Sequence, residues 1–406
     1  MYLFLLLIVL LSTRCQILQN NNYSKFIQSD ENTDLKLSRL EPVSVGHEQE
    51  LHLESGRTLI IKTVAVRPPL FEIENFLTSD ECEKIKLIAK KGAWEKSATL
   101  PKTAFRKGAK EGSHKINFTT ADVNYDGYIN FRELWHKRPP IQNSMITLDD
   151  IKEFIQFYKY DTDGDEKLNS GEFGKIDIKL MYEWMYEKIR TDKRKQHRTS
   201  DQVWMEHKSH EVFGELQKRV VLLTGLSKQI VDNNGEAMQI VHYDVGGHYH
   251  AHYDSERVDN AKKCGHTGGL LDGAARLDFK NYRVCRYLTV MYYLNDVDDG
   301  GETAFPIADN VTYKGNLINE EIYDLSNHCK DANVVVKPKK GKAVMWYNHV
   351  LNEDGWIGEN DVYSLHGGCD IKQGVKWIAN HWIHVDTDKE RQTQYLKKLR
   401  NNIGNL

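Results

Sequence analysis

Two neighbouring stretches decide how this chain is read: Asp361-Val-Tyr-Ser-Leu-His366-Gly-Gly-Cys369, then Gly374-Val-Lys376-Trp-Ile378-Ala-Asn380-His-Trp382. In an extended strand successive side chains point to opposite faces, so Lys376, Ile378, Asn380 and Trp382 share one face. A lysine alternating with apolar partners inside a strand is costly unless it meets an anion, which marks Lys376 as a candidate anion-binding residue. Upstream, Tyr243-Asp-Val-Gly-Gly-His-Tyr-His-Ala-His252-Tyr-Asp254 ends in His-x-Asp at the end of a strand-like run. His-x-Asp carries little weight alone in a chain with 17 histidines. Joined to the distant His366 it supplies two imidazoles and a carboxylate, the set that holds non-haem iron(II) on one octahedral face and leaves three positions open. His252, Asp254 and His366 are therefore the candidate iron ligands. Tyr243 is a candidate second donor to the anion at Lys376, with an ordinary core tyrosine as the equal alternative.

Short β-rich runs fill this half of the chain: Met238 to Tyr243, Tyr287 to Leu294, Asn333 to Val336, Ala343 to Tyr347 and Val375 to Val385. Glycine-rich turns separate them, which predicts an antiparallel sandwich or barrel. A helical stretch is expected through Trp204, Val212 and Leu216 to Leu223, and a surface helix from Asp386 to Arg400. The long segment from Ser255 to Tyr282, with Gly265-His-Thr-Gly-Gly269, is a candidate lid. Ahead of the barrel, Leu70 to Ile73 reads as a strand. Thr78 with Glu81, and Thr147 with Asp150, open helices as capping boxes.

Two acidic loops lie between. Asp122-Val-Asn124-Tyr-Asp126-Gly127-Tyr128-Ile-Asn130-Phe-Arg-Glu133 places oxygen ligands at positions 1, 3, 5, 7, 9 and 12, with Tyr128 acting through its carbonyl. This is the calcium loop of an EF-hand. Asp161-Thr-Asp163-Gly-Asp165-Glu166-Lys167-Leu-Asn169-Ser-Gly-Glu172 repeats the pattern, with Lys167 as the carbonyl position. It carries Glu166 where the sharp turn favours glycine. Gly112 and the sequon at Asn117 weaken the helix entering the first loop, so calcium affinity is expected to be modest.

Across 406 residues the formal net charge is -3, which offers no field to gather nucleic acid. The apolar run from Met1 to Leu11, followed by Ser12 to Cys15, predicts a signal peptide or short anchor entering the secretory pathway. Without Cys15, the five remaining cysteines allow at most two bridges and one thiol. Their connectivity is open.

Between the candidate ligands stand Arg286-Tyr-Leu-Thr289, Tyr293-Leu-Asn295 and Gly300-Gly301-Glu302-Thr303-Ala-Phe305-Pro306. With Ser364-Leu-His366-Gly-Gly-Cys369 and Gly374-Val-Lys376-Trp377, they make the chain resemble the prolyl 4-hydroxylases from about Leu70 to Val385. The acidic loops ahead of the barrel resemble that family's EF-hand-containing branch in the endoplasmic reticulum. The resemblance implies an α+β protein: a double-stranded β-helix (jelly-roll) barrel with an inserted α-helical EF-hand pair. The segments expected are a leader over 1–15, an exposed stretch over 16–58, the start of the catalytic domain over 59–110, the EF-hand pair over 111–180, the barrel over 181–385 and a tail over 386–406. The implied cofactors are iron(II), 2-oxoglutarate, O2, ascorbate and Ca2+. Glu302 is expected near the metal. The implied activity is hydroxylation of proline in a protein or peptide substrate. Another 2-oxoglutarate protein hydroxylase, such as a lysyl enzyme, and a non-catalytic calcium-binding protein are the rival readings. Membrane association would run through the N-terminus, and the sequence leaves the oligomeric state open.

Overall fold

The strand Val284–Tyr293 is buried along its whole length, so both of its faces need cover. It runs through the middle of a large antiparallel sheet. In the computed structural model, which describes residues 35–97, 116–138, 140–141, 143–256, 258, 264, 284–313 and 320–403, that sheet has nine strands. Their spatial order is Glu48–His52, Thr58–Ala65, Leu70–Glu74, Ala343–Tyr347, Val284–Tyr293, Lys376–Asp386, Met238–Tyr243, Asp201–Met205 and Glu95–Lys96. A four-stranded sheet follows the order Val334–Val336, Thr303–Phe305, His366–Gly368, Tyr249–His252. Tyr243, Met291, Tyr293, Trp346 and Ile378 from the large sheet share one apolar core with Phe305 and Val336 from the small one. On the other face Tyr292 stacks on Phe76, and Arg219 of the helix Glu211–Thr224 pairs with Glu81 of the helix Ser79–Ala89. Both capping boxes form, at Thr78 and at Thr147.

The helical segment between has a core of its own. Ile129, Leu134, Ile151, Phe154, Leu168, Met181, Met185 and Ile189 pack together, apart from the core between the sheets. Because Met181, Met185 and Ile189 recur on one helical face, the helix Ile178–Thr191 belongs to this segment, and the boundary expected at 180 falls inside it. The chain then returns to the small sheet. Lys195 pairs with the buried Asp150 at 2.6 Å, and the His250 amide donates to the His197 carbonyl at 2.9 Å, along the outer edge of Tyr249–His252.

Two further expectations change. The stretch expected to be exposed up to residue 58 contains the strand Glu48–His52, whose alternating half-burial is that of an edge strand pairing with Thr58–Ala65. Trp204 lies in a strand rather than a helix, because Asp201–Met205 pairs in period two with Met238–Tyr243. Among the described residues two disulfides form, Cys264–Cys285 and Cys329–Cys369, and Cys82 is a buried thiol. The expected leader and nearly all of the expected lid lie outside the described residues. Among those described, no helix is long and apolar enough to cross a membrane.

Candidate metal centre

His252 ends one strand of the small sheet and His366 begins its neighbour, and antiparallel pairing sets the two residues directly opposite each other. Their rings lie 4.5 Å apart between centroids. Asp254 follows two residues after His252, and its carboxylate meets both: His252 Nε2 is 3.6 Å from Oδ1 and His366 Nε2 is 3.6 Å from Oδ2. The sequence-distant trio is thus brought together by register.

Each imidazole has its other nitrogen engaged. His252 Nδ1 donates to the His250 carbonyl at 3.0 Å, and His366 Nδ1 donates to the Ser364 carbonyl at 2.8 Å. A carbonyl only accepts, so Nδ1 of each ring carries a proton. Nε2 of each ring is thus the nitrogen turned to Asp254. Burial, then the neighbouring His366, push His252 down to about 3, so it is neutral at ordinary pH. Burial alone would raise the Asp254 carboxyl, but His366, His252 and Arg286 outweigh it and hold it well below the usual carboxylate range. A neutral His252 and an ionised Asp254 are protonation states that suit a divalent metal.

Sequence reasoning missed what holds this trio. Thr289 Oγ1 and Trp382 Nε1 both donate to Asp254 Oδ2, at 2.8 and 2.9 Å. The Tyr249 ring stacks on His252 at 3.6 Å, and the Arg198 guanidinium sits 4.5 Å over Tyr249. Arg286 pairs with Glu236 through two bonds, at 2.9 and 3.1 Å. The signal was present for two of these residues: Thr289 stands in the Arg-x-x-Thr run and Trp382 on the Lys376 face. Their contacts, however, depend on pairings no single stretch reveals.

Lys376 is buried, and burial pushes its ammonium down to about 7 while Glu302 opposes the shift. Among the described residues no carboxylate is in ion-pair contact with it. Its ammonium faces the Tyr243 and Tyr293 rings, 5.7 and 5.6 Å away. Tyr243 is the cross-strand partner of Lys376. Its hydroxyl makes no hydrogen bond among the described residues, whereas that of Tyr293 donates to Thr303 at 2.7 Å. Gly301 makes room for the lysine stem. It holds φ at +71°, and a Cβ there would lie 2.6 Å from Ile371 and 3.4 Å from the Lys376 Cδ. A buried cation beside an unpaired phenol is a cradle for a carboxylate.

The family description "2OG-Fe(II) oxygenase superfamily" matches residues 238–384. Over 370 residues the chain is 37% identical to "Transmembrane prolyl 4-hydroxylase" of Mus musculus, covering 89% of this chain and 72% of that one. It belongs to the prolyl 4-hydroxylase family. The protein of the same name from Homo sapiens is 36% identical to this prolyl 4-hydroxylase family member over the same shares. A solved viral collagen prolyl hydroxylase from Paramecium Bursaria Chlorella virus-1 is 25% identical, covering 50% of this chain and 89% of its own, with a TM-score of 0.31.

In this prolyl 4-hydroxylase family member, Glu302 does not join the trio. Its carboxylate clusters with the bridged Cys329 and Cys369 sulfurs, because the Cys369 amide bonds the Glu302 carbonyl at 2.9 Å and draws the two strands together there. The two acidic loops pair back to back through Ile129 with Leu168. Each folds around its own acids. Asp122 accepts from the amides of Asp126 and Gly127, and Glu133 from those of Val123 and Asn130. In the second loop Asp161 accepts from Gly164 and Glu166, and Glu172 from Thr162 and Asn169. Oxygens of Asp161, Asp163 and Glu172 lie within 4.8 Å of one another. Glu166 adopts φ 62° where Gly127 of the first loop has φ 85°.

Proposed function

We propose that this chain hydroxylates prolyl residues of protein or peptide substrates at C4, with His252, Asp254 and His366 as ligands of iron(II) and Lys376 as the anchor of 2-oxoglutarate. Two observations join to support this: the Nε2 atoms of two imidazoles converge on a buried aspartate, and a buried lysine nearby has no carboxylate in ion-pair contact among the described residues. Iron(II) and 2-oxoglutarate, held by these residues, would supply the oxidative chemistry, in which one oxygen atom of O2 ends in succinate as carbon dioxide is released and the other in the substrate C–H bond. The chain's own residues bind, orient and exclude water. Lys376 would meet the distal carboxylate of 2-oxoglutarate, Tyr243 would add a hydroxyl donor, and His252, Asp254 and His366 would hold the metal while leaving room for the cosubstrate and O2. No side chain is asked to act as base or nucleophile.

The double-stranded β-helix is the architecture this reading gives to the two facing sheets. The helical segment is read as an EF-hand pair. Asp122, Asn124, Asp126, Tyr128, Asn130 and Glu133 would bind one Ca2+, and Asp161, Asp163, Asp165, Lys167, Asn169 and Glu172 the other, with Tyr128 and Lys167 acting through carbonyls. Ascorbate as reductant and a location in the endoplasmic reticulum, in its lumen or at its membrane, complete the proposal. The test is succinate production by the purified full chain with iron(II), O2, 2-oxoglutarate and a peptide panel, with mass spectrometry of the peptides. Succinate matched by hydroxyproline supports the proposal; oxygen gained at lysine, or no peptide-dependent succinate, overturns it.

A further inference from the structure

One rung of the large sheet runs across its three central strands. Trp346, Thr289 and Trp382 are direct cross-strand partners, so two indoles flank a small hydroxyl residue. All three are buried, as is Asn348. The hydrogen bonds along this rung have only one possible direction. An indole nitrogen can only donate, and Trp346 Nε1 lies 3.0 Å from Asn348 Oδ1. That fixes which end of the amide is which. Asn348 Nδ2 must then point away, and it donates to Thr289 Oγ1 at 2.9 Å. With that bond received, the Thr289 hydroxyl sends its proton to Asp254 Oδ2, 2.8 Å away. From the other side Trp382 Nε1 donates to the same oxygen at 2.9 Å. Oδ2 therefore takes two bonds to a charged acceptor, the stronger kind. Oδ1 takes no hydrogen bond within 3.5 Å among the described residues and lies 3.6 Å from His252 Nε2, while Oδ2 lies 3.6 Å from His366 Nε2.

We propose that Trp346, Asn348 and Thr289 are positioning residues: a one-way relay that, with Trp382, pins Asp254 through Oδ2 and so fixes the carboxylate's orientation between the two imidazoles, with Oδ1 left as its free oxygen for the metal. The proposal rests on the assignment of His252, Asp254 and His366 as ligands. Trp346 acts at both ends of the trio, because its ring also packs against His366 at 4.5 Å between centroids. A carboxylate that swung to bind through both oxygens would occupy one of the positions the cosubstrate and O2 need. The relay opposes that swing, since the rotation would break both bonds to Oδ2. It can do so only if Asn348 keeps its orientation, which is the work of the Trp346 indole. The backbone of Asn348 is itself fixed, donating to the Tyr287 carbonyl and accepting from the Asp361 amide, both at 2.9 Å.

The test uses the full chain freed of metal, titrated with Co(II) under anaerobic conditions and followed by its ligand-field absorption. Thermal unfolding without metal is measured in parallel. Thr289→Val keeps the shape and removes the hydroxyl. It is expected to weaken Co(II) about ten- to a hundred-fold, the range for partners that orient a metal ligand, and to change the band shape; Thr289→Ser should restore most of the affinity. Asn348→Asp offers only acceptors, so it draws the Thr289 proton away from Asp254 and should weaken Co(II) as well. Thr289→Val and Asn348→Asp proteins that fold without metal yet bind Co(II) with wild-type affinity and spectrum would overturn the relay. Should either fail to fold, Trp346→Phe decides in its place, because it keeps the ring against His366 and lacks the N–H. Weaker Co(II) there supports the relay, and unchanged Co(II) overturns it. Failure of the ligand assignment reads differently: wild-type protein would bind no Co(II), or Asp254→Ala would bind it as tightly as wild type.

Discussion

Two regions of this molecule gather acidic or imidazole side chains in opposite ways. In the acidic loops every candidate ligand lies within twelve consecutive residues, and each loop is folded by its own amides onto its own acids. The His252, Asp254 and His366 trio instead spans more than a hundred residues of sequence and exists because the strands Tyr249–His252 and His366–Gly368 pair in one register. A slip by one residue would turn His366 to the opposite face. The loops thus depend on local turn chemistry, where one residue costs a modest strain. The trio depends on the pairing of the small sheet, with Asp254 and His366 buried in it, so its perturbations are large.

The largest effect follows from the trio. Replacing His252, Asp254 or His366 by Ala removes one of three protein ligands. Peptide-dependent succinate formation should fall to background while the metal-free protein keeps its unfolding temperature to within a few degrees. Near-normal turnover in any one of these variants would break the comparison at its buried end.

Lys376→Ala comes next. Losing a charge-assisted pair to a desolvated carboxylate costs on the order of 2–5 kcal/mol, so 2-oxoglutarate binding should weaken by tens-fold or more. Titration of the lysine adds a pH dependence with a definite sign. Only the protonated ammonium pairs with the carboxylate, and burial has brought its midpoint down to about 7. Affinity for 2-oxoglutarate should hold below that pH and fall about tenfold per unit above it. Affinity that is flat from mildly acidic to alkaline pH would show that the lysine stays charged without the cosubstrate.

How much of this was legible in the sequence follows the same division. The acidic loops were readable as candidates from local sequence alone, and the turn expected to disfavour Glu166 does hold it at φ 62°. Tyr243, Lys376 and the trio were readable as candidates from strand periodicity and residue type. Thr289 and Trp382 as the donors to Asp254 were not, since cross-strand pairing carries them there and one sequence does not print its register. The strand Glu48–His52 was missed for a related reason. An edge strand half-buried on one face is too polar to stand out from a loop.

The smallest effect belongs to the second loop. Positive φ costs a residue with a Cβ roughly 1–2 kcal/mol, which Glu166→Gly relieves. Removing one exposed carboxylate near a divalent ion costs about 1 kcal/mol or less at physiological salt. Relief of strain should win, tightening calcium at this loop by about five- to thirty-fold in calorimetry of the full chain with Glu133→Gln silencing the first loop. Equal or weaker calcium binding would mean that the turn is not a source of strain in the bound loop.

The most direct test of the central claim is the visible charge-transfer absorption that an iron(II) complex of a 2-oxo acid displays, recorded anaerobically as iron(II) and then 2-oxoglutarate are added to the full chain. The account predicts a saturable band in the wild-type protein, no band in His366→Ala, and in Lys376→Ala a band that needs tens-fold more 2-oxoglutarate to reach the same height. A band of full intensity and unchanged 2-oxoglutarate dependence in both variants would contradict it.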